Sequence, residues 1–257
     1  MSRNRNRGGN RGRGSRFNAR SIFRMIPRRL LYAGVLAVIG WMKFGEIGSD
    51  KKREGSVRDE SVIINQPGSS DQAASSQLTP VSVSSSKFEI LENCSIIDHR
   101  GNDGDSFHVK TSKGDQELRL YFVDAPESAA RSYGGGENNH ERIAQQGAAM
   151  GGLSQKQTTE VGVEAKQFVK SLLKGKKFRV ATVWESVYGS RRNYAFILVS
   201  YEGQERYLHE LIVARGLGRI HTKPHTLPDN TSASRHKDRL YKLEKYAKQK
   251  GYGAWGL

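Results

Sequence analysis

From residue 87 onward the chain is written in short runs of alternating apolar and polar residues separated by turn signals. Residues 88–97 (FEILENCSII), 106–111 (SFHVKT), 117–123 (ELRLYFV), 177–184 (KFRVATVW) and 194–201 (YAFILVSY) each predict a strand. Ser112-Lys113-Gly114-Asp115, between the second and third runs, predicts a hairpin turn. Three other stretches change period. Residues 160–174 place Val161, Ala165, Phe168, Val169 and Leu172 on one helical face, and Gly175 ends them. Residues 207–215 (YLHELIVAR) stop at Gly216, and residues 234–250 carry Leu240, Leu243 and Ala247 beneath a heavily charged face before Gly251. Trp255 is expected to dock the C-terminus. The expected class is α+β, mainly β: a five-stranded OB-like barrel with three helices.

Upstream the pattern disappears. Residues 48–86 are rich in Ser, Gln and Gly and show no periodic apolar face, so they are expected to be a flexible linker. Residues 30–47 open with thirteen uncharged, mostly apolar residues, LLYAGVLAVIGWM. That run is shorter than the ~20 residues of a full span but suits a signal peptide's hydrophobic region or a short signal anchor. No small-x-small cleavage site follows closely, which favours the anchor. Residues 1–29 hold ten Arg and no acidic residue, too polar to bury a core. They match RNA-binding Arg/Gly segments in composition, but directly before an apolar run they orient it with the N-terminus on the cytoplasmic side. The expected placement is extracytoplasmic, membrane-anchored or secreted.

Charge sharpens the picture for the remainder. Of the formal net charge of +16, residues 1–29 supply +10 and residues 30–86 supply −1, which leaves +7 on residues 87–257. Such a surface attracts polyanions, although a basic soluble domain would have the same balance. The mean hydropathy of −0.66 agrees with a partly unfolded chain. A single cysteine, Cys94, excludes an internal disulfide and a Cys-based zinc site, and is expected to be buried as a small apolar residue.

The candidate chemistry lies in Asp103-Gly104-Asp105-Ser106 and in residues 119–127, RLYFVDAPE. Asp105 opens the second strand, while Asp124 and Glu127 flank a proline where the third ends. Strand ends that meet at one barrel rim can gather these carboxylates into a hard-oxygen site suited to Ca²⁺, where mutual repulsion calls for a cation. Asp-Gly-Asp and Asp-x-Pro-Glu are also ordinary turns and strand exits. Strict alternation puts Arg119 on the opposite face from Asp124 unless the strand bends. Arg191 and Arg192 occupy the turn YGSRRN between the last two strands. Guanidinium forks there would bind phosphate oxygens, or simply be solvated. His140, His221 and His225 are not read as a helical metal motif.

DGDSFHV, RLYFVDAPES, EAKQFVKSLL, YGSRRNYAFIL, LIVARGLGRI and a charged helix ending in GAWG together resemble the staphylococcal nuclease (thermonuclease) family in order and spacing across residues 87–257. The resemblance implies Ca²⁺-dependent hydrolysis of DNA and RNA at the 5′ oxygen; the domain itself is expected to be monomeric. It implies Asp105, Asp124 and the Ala125 carbonyl as calcium ligands, although the family has Thr at the last position. It further implies Glu127 as the residue that holds and deprotonates water, and Arg119 as the first phosphate-binding arginine. Ser190 and an extra Arg interrupt the family's Tyr-Gly-Arg, and the following strand favours Arg192 over Arg191 as the second. His221, Lys223 and His225 stand where the family carries base-stacking tyrosines. Residues 128–159 form an insertion with a helical candidate at 141–150; it could cover or narrow the cleft, or merely decorate the surface. A non-catalytic nucleic-acid-binding module on the same barrel is the alternative function, but such a binder has no use for three carboxylates beside a polyanion. A structural envelope tether would explain residues 1–86 and leave the carboxylates unexplained.

Overall fold

The computed structural model describes residues 77–257. The expected basic region, signal anchor and most of the linker lie outside them. Strands β1 (Glu89–Ile96), β2 (Ser106–Thr111), β3 (Gly114–Leu120), β5 (Phe178–Thr182) and β6 (Asn193–Tyr201) form a closed barrel, ordered β3-β2-β1-β5-β6 and sealed by a β3–β6 pairing. That closing pair is parallel, and the others are antiparallel. Closure needs a strand that bends. In β1 the register shifts between Leu91 and Cys94, and Asn93 takes φ 56°, so β1 serves β5 with one half and β2 with the other. The β2–β3 hairpin turns through Ser112-Lys113, with Thr111 opposite Gly114. Phe107, Val109, Leu118, Leu120, Val180, Phe196 and Leu198 are all buried, as alternation requires. Cys94 is likewise buried and free.

Three elements were too short to leave a periodic signal: β4 (Val123–Asp124), β8 (Arg219–Ile220) and β7 (Gln204–Tyr207), which extends β6 as a hairpin. There are four helices among the described residues where three were expected: α1 (His140–Ala149), α2 (Gln155–Leu173), α3 (Leu208–Ala214) and α4 (Ala233–Lys250). The additional one, α1, is the helical candidate within the insertion. Helix α2 starts five residues before the expected 160, because Ser154 and Gln157 form a reciprocal capping box. Gly162 lets α2 lie directly on the backbone after β4; a Cβ there would collide with the Glu127 carbonyl. Trp255 packs on the core beneath Lys248, 4.2 Å from the ring centroid.

The linker boundary moves. Residues 77–86, expected to be flexible, pack on the domain. Leu78 is buried, Thr79 N–H donates to Glu210 at 2.7 Å, and the N–H groups of Ser84 and Ser85 both donate to the Pro228 carbonyl.

Under this strap the core holds a polar pair. His209 on α3 and His236 on α4 bond through their Nε2 atoms at 2.6 Å, fully buried beside Phe122. Burial pushes both imidazoles down, His209 well below its ordinary value and His236 to about 4. The unfolded chain therefore takes up protons below pH 6.5 that the folded chain refuses, and stability falls as pH drops through that window. Between pH 7.5 and 5, His236 alone should cost about 2 kcal/mol. Protonation of buried Glu210, whose carboxyl burial pushes up, partly offsets this. Denaturant unfolding at pH 7.5 and pH 5 measures the difference. Equal stabilities, with imidazole NMR signals already titrating near pH 6.5, would contradict it.

Candidate active site

Barrel closure assembles the site. In the sheet register Ser106 faces Arg119, and Arg119 faces Tyr194. The start of β2, the end of β3 and the start of β6 thus meet at one rim. The Asp103 carboxylate accepts the N–H groups of Asp105 and Ser106 at 3.1 and 2.8 Å, an Asx turn that aims Asp105 inward. Gly104 makes this possible: a Cβ there would lie 2.6 Å from that of Ala125 and 2.9 Å from that of Ala165. Asp105 accepts from Ser106 Oγ (2.8 Å), from Arg119 Nη2 (3.1 Å) and from the Ala125 N–H (3.1 Å).

Strict alternation separated Arg119 from Asp124, and the chain departs from it. Strand β3 ends at Leu120, three residues before the expected end, and Phe122 turns through φ 67° before β4 begins. That break swings Asp124 to the Arg119 side, with Arg119 Nη2 2.8 Å from Asp124 Oδ1. One guanidinium nitrogen therefore holds both aspartates. Arg192 joins them: its Nη1 donates to Ser106 Oγ at 3.1 Å, and its Nε to Ser190 Oγ at 3.1 Å. The inserted Ser190 thus props Arg192 toward the rim, while Arg191 is exposed.

Four further residues complete the network. Asp124 Oδ1 accepts from Arg142 Nη2 at 3.0 Å, and Oδ2 from Arg219 Nε at 2.9 Å and Gln146 Nε2 at 3.0 Å. Arg142 Nη1 is also 3.0 Å from Glu127 Oε1. Gln146 accepts the Glu127 N–H and donates to the Ala125 carbonyl, both at 3.0 Å. Asn139 donates to Glu127 Oε2 at 3.3 Å. Arg142, Gln146 and Asn139 all come from the insertion, which is therefore part of the site and not a surface decoration. Its sequence signal was only an amphipathic run; Arg219 gave none beyond its place after a helix-ending glycine.

Burial and the neighbouring Asp103 push the Asp105 carboxyl up to about 8, against the pull of Arg119. Burial also opposes ionisation of Asp124, but the Gln146 amide and the three arginines outweigh it and hold its pKa below the usual carboxylate value. Beside Asp124 opens a cleft of about 470 Å³ lined by Arg119, Arg142, Arg192, Arg219 and Lys223. The cleft is strongly cationic, as a phosphodiester requires. His221 lines it too, and Lys223 pairs with Glu185. His225 instead packs against Phe88 and Tyr121.

The donors expected for calcium are in place in kind: two buried carboxylates on one nitrogen, followed by the Ala125 carbonyl, are hard oxygens. Among the described residues, however, no three His, Cys, Asp or Glu side chains gather to hold a metal. Glu127 is held off by Arg142, and both Asp124 oxygens and the Ala125 carbonyl already accept nitrogen donors. The donor types suit a hard divalent ion, while guanidinium and amide groups engage Asp124 and the Ala125 carbonyl in this structure.

No curated protein matches the chain. Residues 117–256 match the staphylococcal nuclease homologue family. That span runs from within β3 to residue 256, more than half of the sequence, and includes the site residues apart from Asp103, Gly104, Asp105 and Ser106. The chain belongs to the staphylococcal nuclease homologue family.

Proposed function

We propose that this domain is a calcium-dependent nuclease that hydrolyses phosphodiester bonds of DNA or RNA at the 5′ oxygen. The carrying observation is the convergence of four arginines and Asp124 in one cleft, with Glu127 paired to one of those arginines, Arg142. Arg119 and Arg192, which share the Ser106 hydroxyl, would bind two phosphate oxygens and stabilise the charge that builds on them as the bond breaks. The Glu127 carboxylate takes a proton from the attacking water. Asp105, Asp124 and the Ala125 carbonyl would hold the calcium ion, which supplies Lewis acidity at the phosphate. Three carboxylates would weaken a pure binder's grip on a polyanion, and this favours hydrolysis over the non-catalytic module.

Incubating the full chain with single-stranded DNA, in Ca²⁺ and in chelator, tests this. Cleavage is expected in Ca²⁺, little in Mg²⁺, whose octahedral demand suits such a site poorly, and none in chelator. Equal cleavage in chelator would sink the metal mechanism. Tight binding without cleavage would establish the module instead.

Location follows as part of the same reading. Ten arginines before an apolar run, then a linker, support a domain held outside the cytoplasm. Calcium is plentiful there and the cell's own nucleic acid is out of reach. Among the described residues no helix is long and apolar enough to cross a membrane; the anchor of this reading is residues 30–47. Recovery of intact chain in the cytosolic fraction would refute this placement.

A further inference from the structure

The insertion helix touches every group that the calcium reading needs except Asp105. Along one face of α1, Arg142 reaches Asp124 and Glu127, and Gln146, one turn later, reaches Asp124 and the Ala125 carbonyl. These two contacts differ in character. Gln146 is fully buried, and α1 is fixed behind it by buried Ile143 and by Gly147, whose Cα faces Leu153 and Thr158 with no room for a Cβ. The Arg142 side chain is 43% exposed, against 9% for Arg119 and 11% for Arg219. Of the three guanidiniums on Asp124, it alone is substantially exposed to solvent and can leave without opening the core.

Its position is that of a cation. One nitrogen lies 3.0 Å from Asp124 Oδ1 and the other 3.0 Å from Glu127 Oε1, so the guanidinium neutralises two carboxylates that would otherwise repel each other. A divalent ion drawing on the same oxygens would compete for their lone pairs and repel the guanidinium. Both cannot hold Asp124 and Glu127 together. Arg142 also lines the phosphate cleft, so a displaced guanidinium has a second place to go.

We propose that Arg142 is an exchangeable internal cation: it holds Asp124 and Glu127 in position without metal, and it sets calcium affinity by competing for them. It is a positioning residue, and the inference rests on the calcium-dependent reading above. The test is calorimetric titration of the full chain with Ca²⁺ in the absence of nucleic acid, for wild type, Arg142→Gln and Arg142→Lys. Mutually exclusive occupancy predicts about tenfold or greater tightening in Arg142→Gln, with Arg142→Lys near wild type because its charge remains. Thermal unfolding without calcium should show Arg142→Gln still cooperatively folded. Unchanged or weaker calcium affinity in that folded variant would overturn the exchange, as would a failure of all three chains to bind calcium. Tighter binding in a chain that cleaves nothing would keep the exchange and remove the nuclease reading.

Discussion

Replacing Asp124 by alanine should destabilise the domain by about 3–5 kcal/mol, the usual result of stripping a buried charge of its partner. The residue is almost wholly buried and accepts from Arg119, Arg142, Arg219 and Gln146. Asp105 would still hold Arg119, and Glu127 would still hold Arg142. Arg219, only 11% exposed, would keep a single carbonyl partner, Gln145, and no counter-charge. Three guanidiniums would then face one another across the space left behind. The damage should spread to the β4–β8 pairing, where Asp124 and Arg219 stand opposite each other. Denaturant unfolding of wild type and variant measures the loss. A change under about 1 kcal/mol would mean that the pair behaves as a surface ion pair and that the cluster does not organise the rim.

Glu127→Gln should lower turnover by roughly 10²–10⁴-fold, the range for a lost general base, while leaving the fold and nucleic-acid binding near wild type. The amide keeps the size of the carboxylate and can still accept from Arg142 through its oxygen, giving up only the long bond from Asn139 on the other side. What it loses is the capacity to accept a proton from water. Single-turnover cleavage at saturating chain separates the two effects, because a binding defect disappears at saturation and a chemical one persists. A variant that retains most of its rate would show that another group takes the proton. Asp124 is a weak candidate for that role, because it is almost wholly buried and each of its oxygens already accepts two nitrogen donors.

These expectations come from different depths of the molecule. The strands and helices follow local periodicity, which any ten-residue window contains. Alternation marked β1, β2, β5 and β6 within a few residues, and the stop signals Gly175, Gly216 and Gly251 ended the helices where the backbone leaves the helical region. The order of six short motifs was enough to indicate the family, the barrel and the nearness of Asp105 to Asp124, since strand ends are the only places a barrel can gather loop carboxylates. Local pattern could not mark β4, β7 and β8, which are two to four residues long and give no period to detect. Nor could it show that residues 77–86 are held down, because Thr79 owes its place to Glu210, 131 residues away.

The rim itself was decided by tertiary structure. Parallel closure of β3 on β6 sets Arg119 beside Tyr194 and so brings Arg192 within reach of Ser106. A single left-handed residue, Phe122, held by bonds to Lys223 and His221, reverses the face that alternation assigned to Asp124. Arg142 and Arg219 looked like the solvated arginines of any basic helix or loop. An arginine's sequence neighbours say nothing about which carboxylate it will find, and here that carboxylate lies 18 and 95 residues away. Sequence alone determined the elements and the family, because both rest on local spacing. Which charges face one another was decided only when the barrel closed and α1 docked, because that depends on the path of the whole chain.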